Sequence, residues 1–327
     1  MSQTATSAAP AAATASGRAS TATGHRRRPG EARTAWLFLA PYLVLFTVFV
    51  LFPIVYGLWI SLHAYDFTLP EKPFVGLANY TGLFDGSSPF AGPFWSSMQA
   101  TWLFTLLTVP LLLVIPLLVA MLMNGKFPGR TVFRAMYFAP YVLGVAVVSV
   151  LWRYLLDGNI GLVNHYAGRI GLPDTTPWLT ELPWAWASLV FVTVWWTLGF
   201  NAVIYLAALQ EISADLYEAA RVDGANAWQR FLNVTLPGLR PVLIFVTSVT
   251  LIASVNMFGQ SWLMTQGGPG TETRTAIYQI ADTGLTNFTS GAASAMSTLF
   301  TVSLILVNIV VFMLLRERTA APKGARR

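Results

Sequence analysis

Six stretches of this sequence come close to the length and apolarity that a bilayer demands of a crossing helix. They run approximately from Trp36 to Ile60, Ser97 to Met123, Val132 to Leu151, Trp184 to Ala208, Leu243 to Met264 and Ala292 to Leu315. A hydrocarbon core about 30 Å thick needs roughly 20 residues of helix. No water is available there, so each stretch has to satisfy its own backbone N–H and C=O groups, and apolar runs of this length do so as helices. The sequence therefore predicts an all-α integral membrane protein with six transmembrane helices. Composition agrees, because 55% of the residues are hydrophobic and 10% charged, against about 25% charged in soluble domains.

The charges set an orientation. Sixteen Lys and Arg fall in the N-terminal tail, around the loop between spans two and three, in the loop between spans four and five, and in the C-terminal tail. The other loops hold only Lys72, Arg153, Arg169 and Arg274. By the positive-inside bias both termini and the loop around Glu218 face the cytoplasm. The opposite loops carry acids such as Asp66, Asp157 and Asp282, with Trp178, Trp184 and Trp186 at the level of an interfacial belt. The net charge of +6 lies at span ends and tails, with no RNA-binding motif, so nucleic acid is not an expected partner; lipid is. The absence of cysteine removes disulfide frameworks, thiolate nucleophiles and Cys-type metal sites together.

Residues 1–33 are rich in Ala, Thr and Ser and carry Arg26, Arg27 and Arg28, the composition of a disordered basic tail. The tail and first span together mimic a secretory signal, but the apolar run exceeds a signal's core and lacks a small-residue cleavage site, so a retained helix is expected. The divisions that follow are a first helix and external loop at 34–96, a five-helix body at 97–315 and a cytoplasmic tail at 316–327.

The most informative polar stretch lies within residues 209–240. Ser213 and Asp215 suit a helix N-terminus, and Leu216, Ala219 and Ala220 share one narrow face. Gly224 supplies a left-handed stop. Asn226 can start a second helix whose Trp228, Phe231 and Leu232 again share a face, with Pro237 and Pro241 punctuating the approach to the fifth span.

Glu218-Ala219-Ala220, then Gly224, then Val234-Thr235-Leu236-Pro237 resembles the EAA loop of binding-protein-dependent ABC importer permeases. The flanking Leu216-Tyr217 and Val222-Asp223-Gly224-Ala225, and Thr265 to Gly270 beyond the next span, are similar to sugar-importer permeases of the maltose type. Gly76 to Tyr80, Phe133-Arg134 through Pro140, Trp152 to Tyr154 and Gly161 to Asn164 extend the resemblance over most of the chain beyond the tail. Ser213 departs from it, since many relatives carry Pro there; Ser is itself a good cap.

The resemblance implies a type I ABC importer permease fold and a complex with a second permease, two ATPase subunits and an extracytoplasmic solute-binding protein. It implies that Glu218, Ala219, Ala220, Asp223, Gly224, Leu236 and Pro237 couple this chain to the ATPase, with Glu218 at the contact and Gly224 at the bend. ATP and magnesium then belong to the partner ATPase. This chain is not expected to be an enzyme, and its only Gly-Lys pair in phosphate-loop order, Gly125-Lys126, continues into Phe127.

No ionisable residue lies inside a span, where a proton- or sodium-coupled transporter would place one. Arg134 and Arg153 sit at span ends, where long cationic side chains reach the interface. The three histidines are scattered, which argues against a metal cluster. Asn256 and Gln260 are expected one helical turn apart on one face of the fifth span, with Ser254, Met257 and Phe258 nearby, a set suited to a neutral polyol or equally to bonds between helices. A self-contained facilitator or channel, and a membrane scaffold, remain alternatives on the residues alone.

Overall fold

The computed structural model describes residues 29–125 and 128–317. The tails expected at 1–33 and 316–327 fall largely outside the described residues, as does Lys126. The chain divides into two compact units, residues 1–54 and 55–327. The first holds α1 (Pro29–Phe46), followed by a π turn at Thr47–Leu51. Its side chains from Trp36 onward are almost all exposed, as befits a helix solvated by lipid.

The second unit carries the rest: α2 (Phe52–Ser61, whose first three residues belong to the first unit), α3 (Ala78–Phe84), α4 (Ala91–Asn124), α5 (Arg130–Val142), α6 (Val145–Leu155), α7 (Leu162–Arg169) and α8 (Trp184–Glu211). Then come α9 (Ala214–Val222), α10 (Ala227–Arg230), α11 (Leu236–Val255), α12 (Ala276–Ala281) and α13 (Ser290–Glu317). Five helical runs are long and apolar enough to cross a membrane, and the count is six if the bent pair α5 and α6 is one broken span. Among the described residues the only extended pairing is two isolated bridges, His63 with Phe74 and Asp66 with Thr289.

The core is built along α4 and α8. Phe104 of α4 packs with Leu189 and Val192 of α8 and Val148 of α6. Towards the start of α4, Phe94 and Met98 meet Val255, Met296 and Phe300. Towards its other end, Leu117 and Ala120 pack with Tyr205 and Leu209 of α8 and Leu239 and Val246 of α11. Helices between lipid tails associate through close packing rather than an apolar driving force, so small residues matter where backbones touch. A Cβ on Gly199 would run into the Tyr137 carbonyl, so α8 meets the backbone of α5 there.

Two expected spans are corrected. The third is not one straight helix: α5 and α6 meet at 97°. Leu143 and Gly144 are extended, and Pro140 just ahead of them has no N–H to continue the ladder. Trp196 of α8 donates its Nε1–H to the Leu143 carbonyl at 3.0 Å, satisfying a group the bend sets free. The fifth span is displaced. It runs from Ala227 to Val255, not from Leu243 to Met264. α10 continues through a π turn at Phe231–Thr235 straight into α11, so Pro237 and Pro241 lie inside one long helix and do not divide it. The widened turn, closed by Leu236 N–H to the Phe231 carbonyl, comes just where Pro237 cannot donate.

Candidate functional site: a coupling hairpin and a lined cavity

The hairpin between α8 and α11 is assembled by short-range bonds. Ser213 Oγ accepts from the Asp215 N–H at 3.2 Å, and Asp215 adds negative charge to the first turn of α9. At the other end Gly224 has φ of +77°, the left-handed region, and a Cβ placed there would meet no heavy atom within 4 Å. Its N–H goes to the Arg221 carbonyl at 3.0 Å and the Ala225 N–H to the Ala220 carbonyl at 2.9 Å. Asn226 then opens α10 with a reciprocal cap: Gln229 N–H donates to its side chain, and its own N–H donates to Gln229 Oε1. The hydroxyls of Tyr217 and Thr235, 2.9 Å apart, tie α9 to the π turn and fix the angle between the arms.

What the hairpin presents is unpartnered. Glu218, Ala219 and Asp223 are exposed and Ala220 half-buried. The Glu218 carboxylate has no hydrogen-bond partner among the described residues. Leu216, Val222 and Trp228 are 54%, 89% and 64% exposed, the apolar companions of that acid. Leu236, half-buried, and Pro237, exposed, lie where the second arm becomes α11.

The second feature is a cavity of about 630 Å³ among α4, the bend between α5 and α6, α8, and the end of α11. One wall is aromatic: Tyr141 stacks on Phe200 with ring centres 4.8 Å apart and lies 6.3 Å from Trp196. Another is the stacked pair Phe258 and Trp262 at 5.4 Å. Amides and hydroxyls stand between them. Asn201 Nδ2 donates to the Leu112 carbonyl at 3.1 Å and to Thr250 Oγ1 at 3.3 Å. The helical partner of that carbonyl would be residue 116, and Pro116 has no N–H to offer, so Asn201 repairs a gap in α4. Gln260 Nε2 donates to Thr193 Oγ1 at 3.5 Å. Every lining residue is uncharged. Flat rings with amide and hydroxyl groups between them suit the C–H faces and hydroxyls of a neutral polyol.

Ser254, Asn256, Met257 and Gln260 all line this cavity, yet not by the geometry expected. α11 ends at Val255, and the chain is not helical again until Gly259. Asn256 and Gln260 therefore do not share a helix face. Asn256 is exposed and bonds back to the Ile252 carbonyl, while Ser254, Met257 and Gln260 are buried. The sequence reading missed Tyr141, Thr193, Trp196, Phe200 and Asn201. The available signal was Asn201 in mid-span, just beyond Trp195, Trp196 and Phe200.

Comparison with known proteins places this arrangement. Residues 90–317 match the family model described as binding-protein-dependent transport system inner membrane component. The chain is 34% identical over 283 residues to the trehalose/maltose transport system permease protein MalF of Thermococcus litoralis, covering 86% of this chain and 93% of that one. It is 33% identical over 291 residues to the lactose transport system permease protein LacF of Rhizobium radiobacter, covering 86% and 94%. Its fold matches a chain from the crystal structure of a bacterial ABC transporter involved in import of the acidic polysaccharide alginate. The TM-score is 0.76 at 24% identity, over 89% of this chain and 98% of that chain. The protein is thus a multi-pass plasma membrane protein, a permease subunit of an ABC importer, and subunits of this kind are not themselves catalytic. The chain belongs to the inner membrane component family of binding-protein-dependent transport systems.

Proposed function

We propose that this chain is one of two permeases of an ATP-driven importer for a neutral carbohydrate or related polyol. The observation that carries the reading is the cavity of about 630 Å³, with stacked aromatic walls, amides and hydroxyls and no charged lining residue. Relatives named for trehalose and maltose or for lactose support the same class. The second permease closes the open side of the cavity, two ATPase subunits hold ATP and magnesium, and a solute-binding protein delivers the cargo from outside. The sixteen-to-four asymmetry of basic residues supports cytoplasmic termini and a cytoplasmic hairpin.

In this mechanism ATP binding closes the ATPase pair, and the hairpin, with Glu218 docked and Gly224 setting its angle, moves with it as a lever. The two permeases then rock between inward- and outward-open states around the cavity. The binding protein promotes the outward state only by contacting it more tightly. The test is uptake by the complete complex in proteoliposomes with a panel of neutral sugars, polyols and sugar acids. Uptake of a neutral member that needs both ATP and the binding protein is expected. ATP-independent flux, or a preference for sugar acids, would overturn the proposal, as would a reporter after Arg327 that reads the outer face.

A further inference from the structure

After the break at Val255 the chain turns back through Gln266 and Gly267, both at positive φ, and returns as Thr273–Tyr278. Three residues of that return, Thr273, Thr275 and Tyr278, hold the segment that follows the break. Ser261 Oγ donates to the Thr273 carbonyl at 2.6 Å, and the hydroxyls of Thr265 and Thr273 lie 2.7 Å apart. Thr275 Oγ1 donates to the Met257 carbonyl at 2.7 Å, inside the break, where the helical ladder no longer serves it. Ser261, Thr273 and Thr275 are fully buried, so these bonds have no water to compete with.

Thr275 is also the N-cap of α12, where a threonine hydroxyl ordinarily accepts from its own helix. Here it makes no such bond. The first N–H of α12, on Ala276, goes to Thr101 Oγ1 of α4 at 2.8 Å. The Thr275 hydroxyl proton goes to the Met257 carbonyl. Beside it, the Arg274 guanidinium lies over the Tyr278 ring at 5.0 Å and pairs with Asp282 at 3.4 Å. Tyr278 meets the Phe258 ring edge-on at 6.1 Å, and Phe258 stacks on Trp262 in the cavity wall.

We propose that Thr275 and Arg274 are positioning residues for transport. Thr275 holds the chain out of the helix just beyond Val255 so that Met257 and Gln260 line the cavity, and Arg274 seats Phe258 through Tyr278. The functional part rests on the cavity being the solute path. Neither residue lines the cavity itself.

The chain has no cysteine, so single cysteines can report on each side of the break. Leu263→Cys lies beyond it and Ala253→Cys before it, both in the cavity lining. Labelling of this chain by a maleimide is measured in the complete complex, alongside uptake. Thr275→Val is expected to raise the Leu263→Cys labelling rate on the order of fivefold, the effect of one buried hydrogen bond. The Ala253→Cys rate should stay within about twofold. Thr275→Ser, which keeps the hydroxyl, should restore both labelling and uptake. If Thr275→Val does not assemble, the half-buried Arg274→Gln is read in the same way, with the same direction expected. Unchanged Leu263→Cys labelling in an assembled variant overturns the proposal whatever uptake does. Altered labelling with normal uptake upholds the strap and overturns the cavity as the solute path.

Discussion

The hairpin and the cavity are built by opposite means. Most of the hydrogen bonds that shape the hairpin join residues two to five apart, such as Ser213 with Asp215, Asn226 with Gln229 and Ala220 with Ala225, and the longest, Tyr217 with Thr235, spans 18. Those around the cavity join Trp196 to residue 143, Gln260 to residue 193 and Asn201 to residue 112, separations of 53, 67 and 89. The hairpin holds its shape from its own residues and leaves its acid and apolar groups exposed for a partner. The cavity exists only once four spans are packed. Damage to the first should therefore break coupling and spare the bundle, and damage to the second should do the reverse or change what the bundle binds.

The largest expected effect is at Gly224. With φ at +77° and no atom near enough to clash, its requirement is conformational. A β-branched residue there costs on the order of 1–3 kcal/mol of backbone strain and misaims the lever. Gly224→Val should leave the protein in the membrane but abolish uptake or release the ATPase on purification, whereas Gly224→Asn, tolerated in the left-handed region, should keep most activity. Glu218→Lys should weaken ATPase retention more mildly. Normal uptake and co-purification in both Gly224→Val and Glu218→Lys would reduce the hairpin to a linker.

This contrast also explains what was legible in the sequence. Caps, the left-handed glycine and helical spacing are properties of a few adjacent residues, so Ser213, Gly224 and Asn226 could be read off directly. The spans were legible for the same reason, since apolarity is a local property. Their interruptions were not. Leu143–Gly144 and Asn256–Phe258 sit inside apolar runs that favour a continuous helix, and the groups that satisfy the freed carbonyls, Trp196 and Thr275, come from distant positions. The fifth span was misplaced because Pro237 and Pro241 read as stops, whereas a π turn just upstream lets the helix run through them.

Two amides sharpen the difference at the cavity. Asn201 is 5% exposed and links α8 to α4 and α11, so Asn201→Ala should lower the stability of the detergent-solubilised protein by about 1–3 kcal/mol. Asn256 bonds only to the Ile252 carbonyl of its own helix and is open to the cavity, so Asn256→Ala should move stability by less than about 0.5 kcal/mol. Uptake should nonetheless fall, by on the order of fivefold if one solute hydrogen bond is lost. Thermal unfolding and uptake measured on both variants separate the roles. Unchanged uptake by an assembled Asn256→Ala complex would move the solute path away from this amide.

The smallest effect tests whether a locally closed turn elsewhere behaves like the hairpin. Between α6 and α7, Asp157 accepts from the Asn159 and Ile160 N–H groups at 2.9 and 3.0 Å. Those bonds, the Ile160 one foremost, lower its pKa below the ordinary aspartate value of 3.8, with Arg153 adding a minor electrostatic contribution. A carboxylate whose pKa is lower in the folded state contributes its stabilisation above the unfolded value and loses it as pH falls through the folded one. The turn should stay closed through mild acid and open only below pH 3.8. Hydrogen exchange of the Asn159 and Ile160 amides, corrected for intrinsic rate, reads this directly. Asp157→Asn keeps an acceptor oxygen but not the charge, so its protection should show no such acid limb. Asp157→Ala should lose protection at every pH, and because the turn closes on itself, uptake and Leu263→Cys labelling should stay within about twofold of the parent. A larger change would mean that this turn, unlike the hairpin, depends on and supports the long-range packing around the cavity.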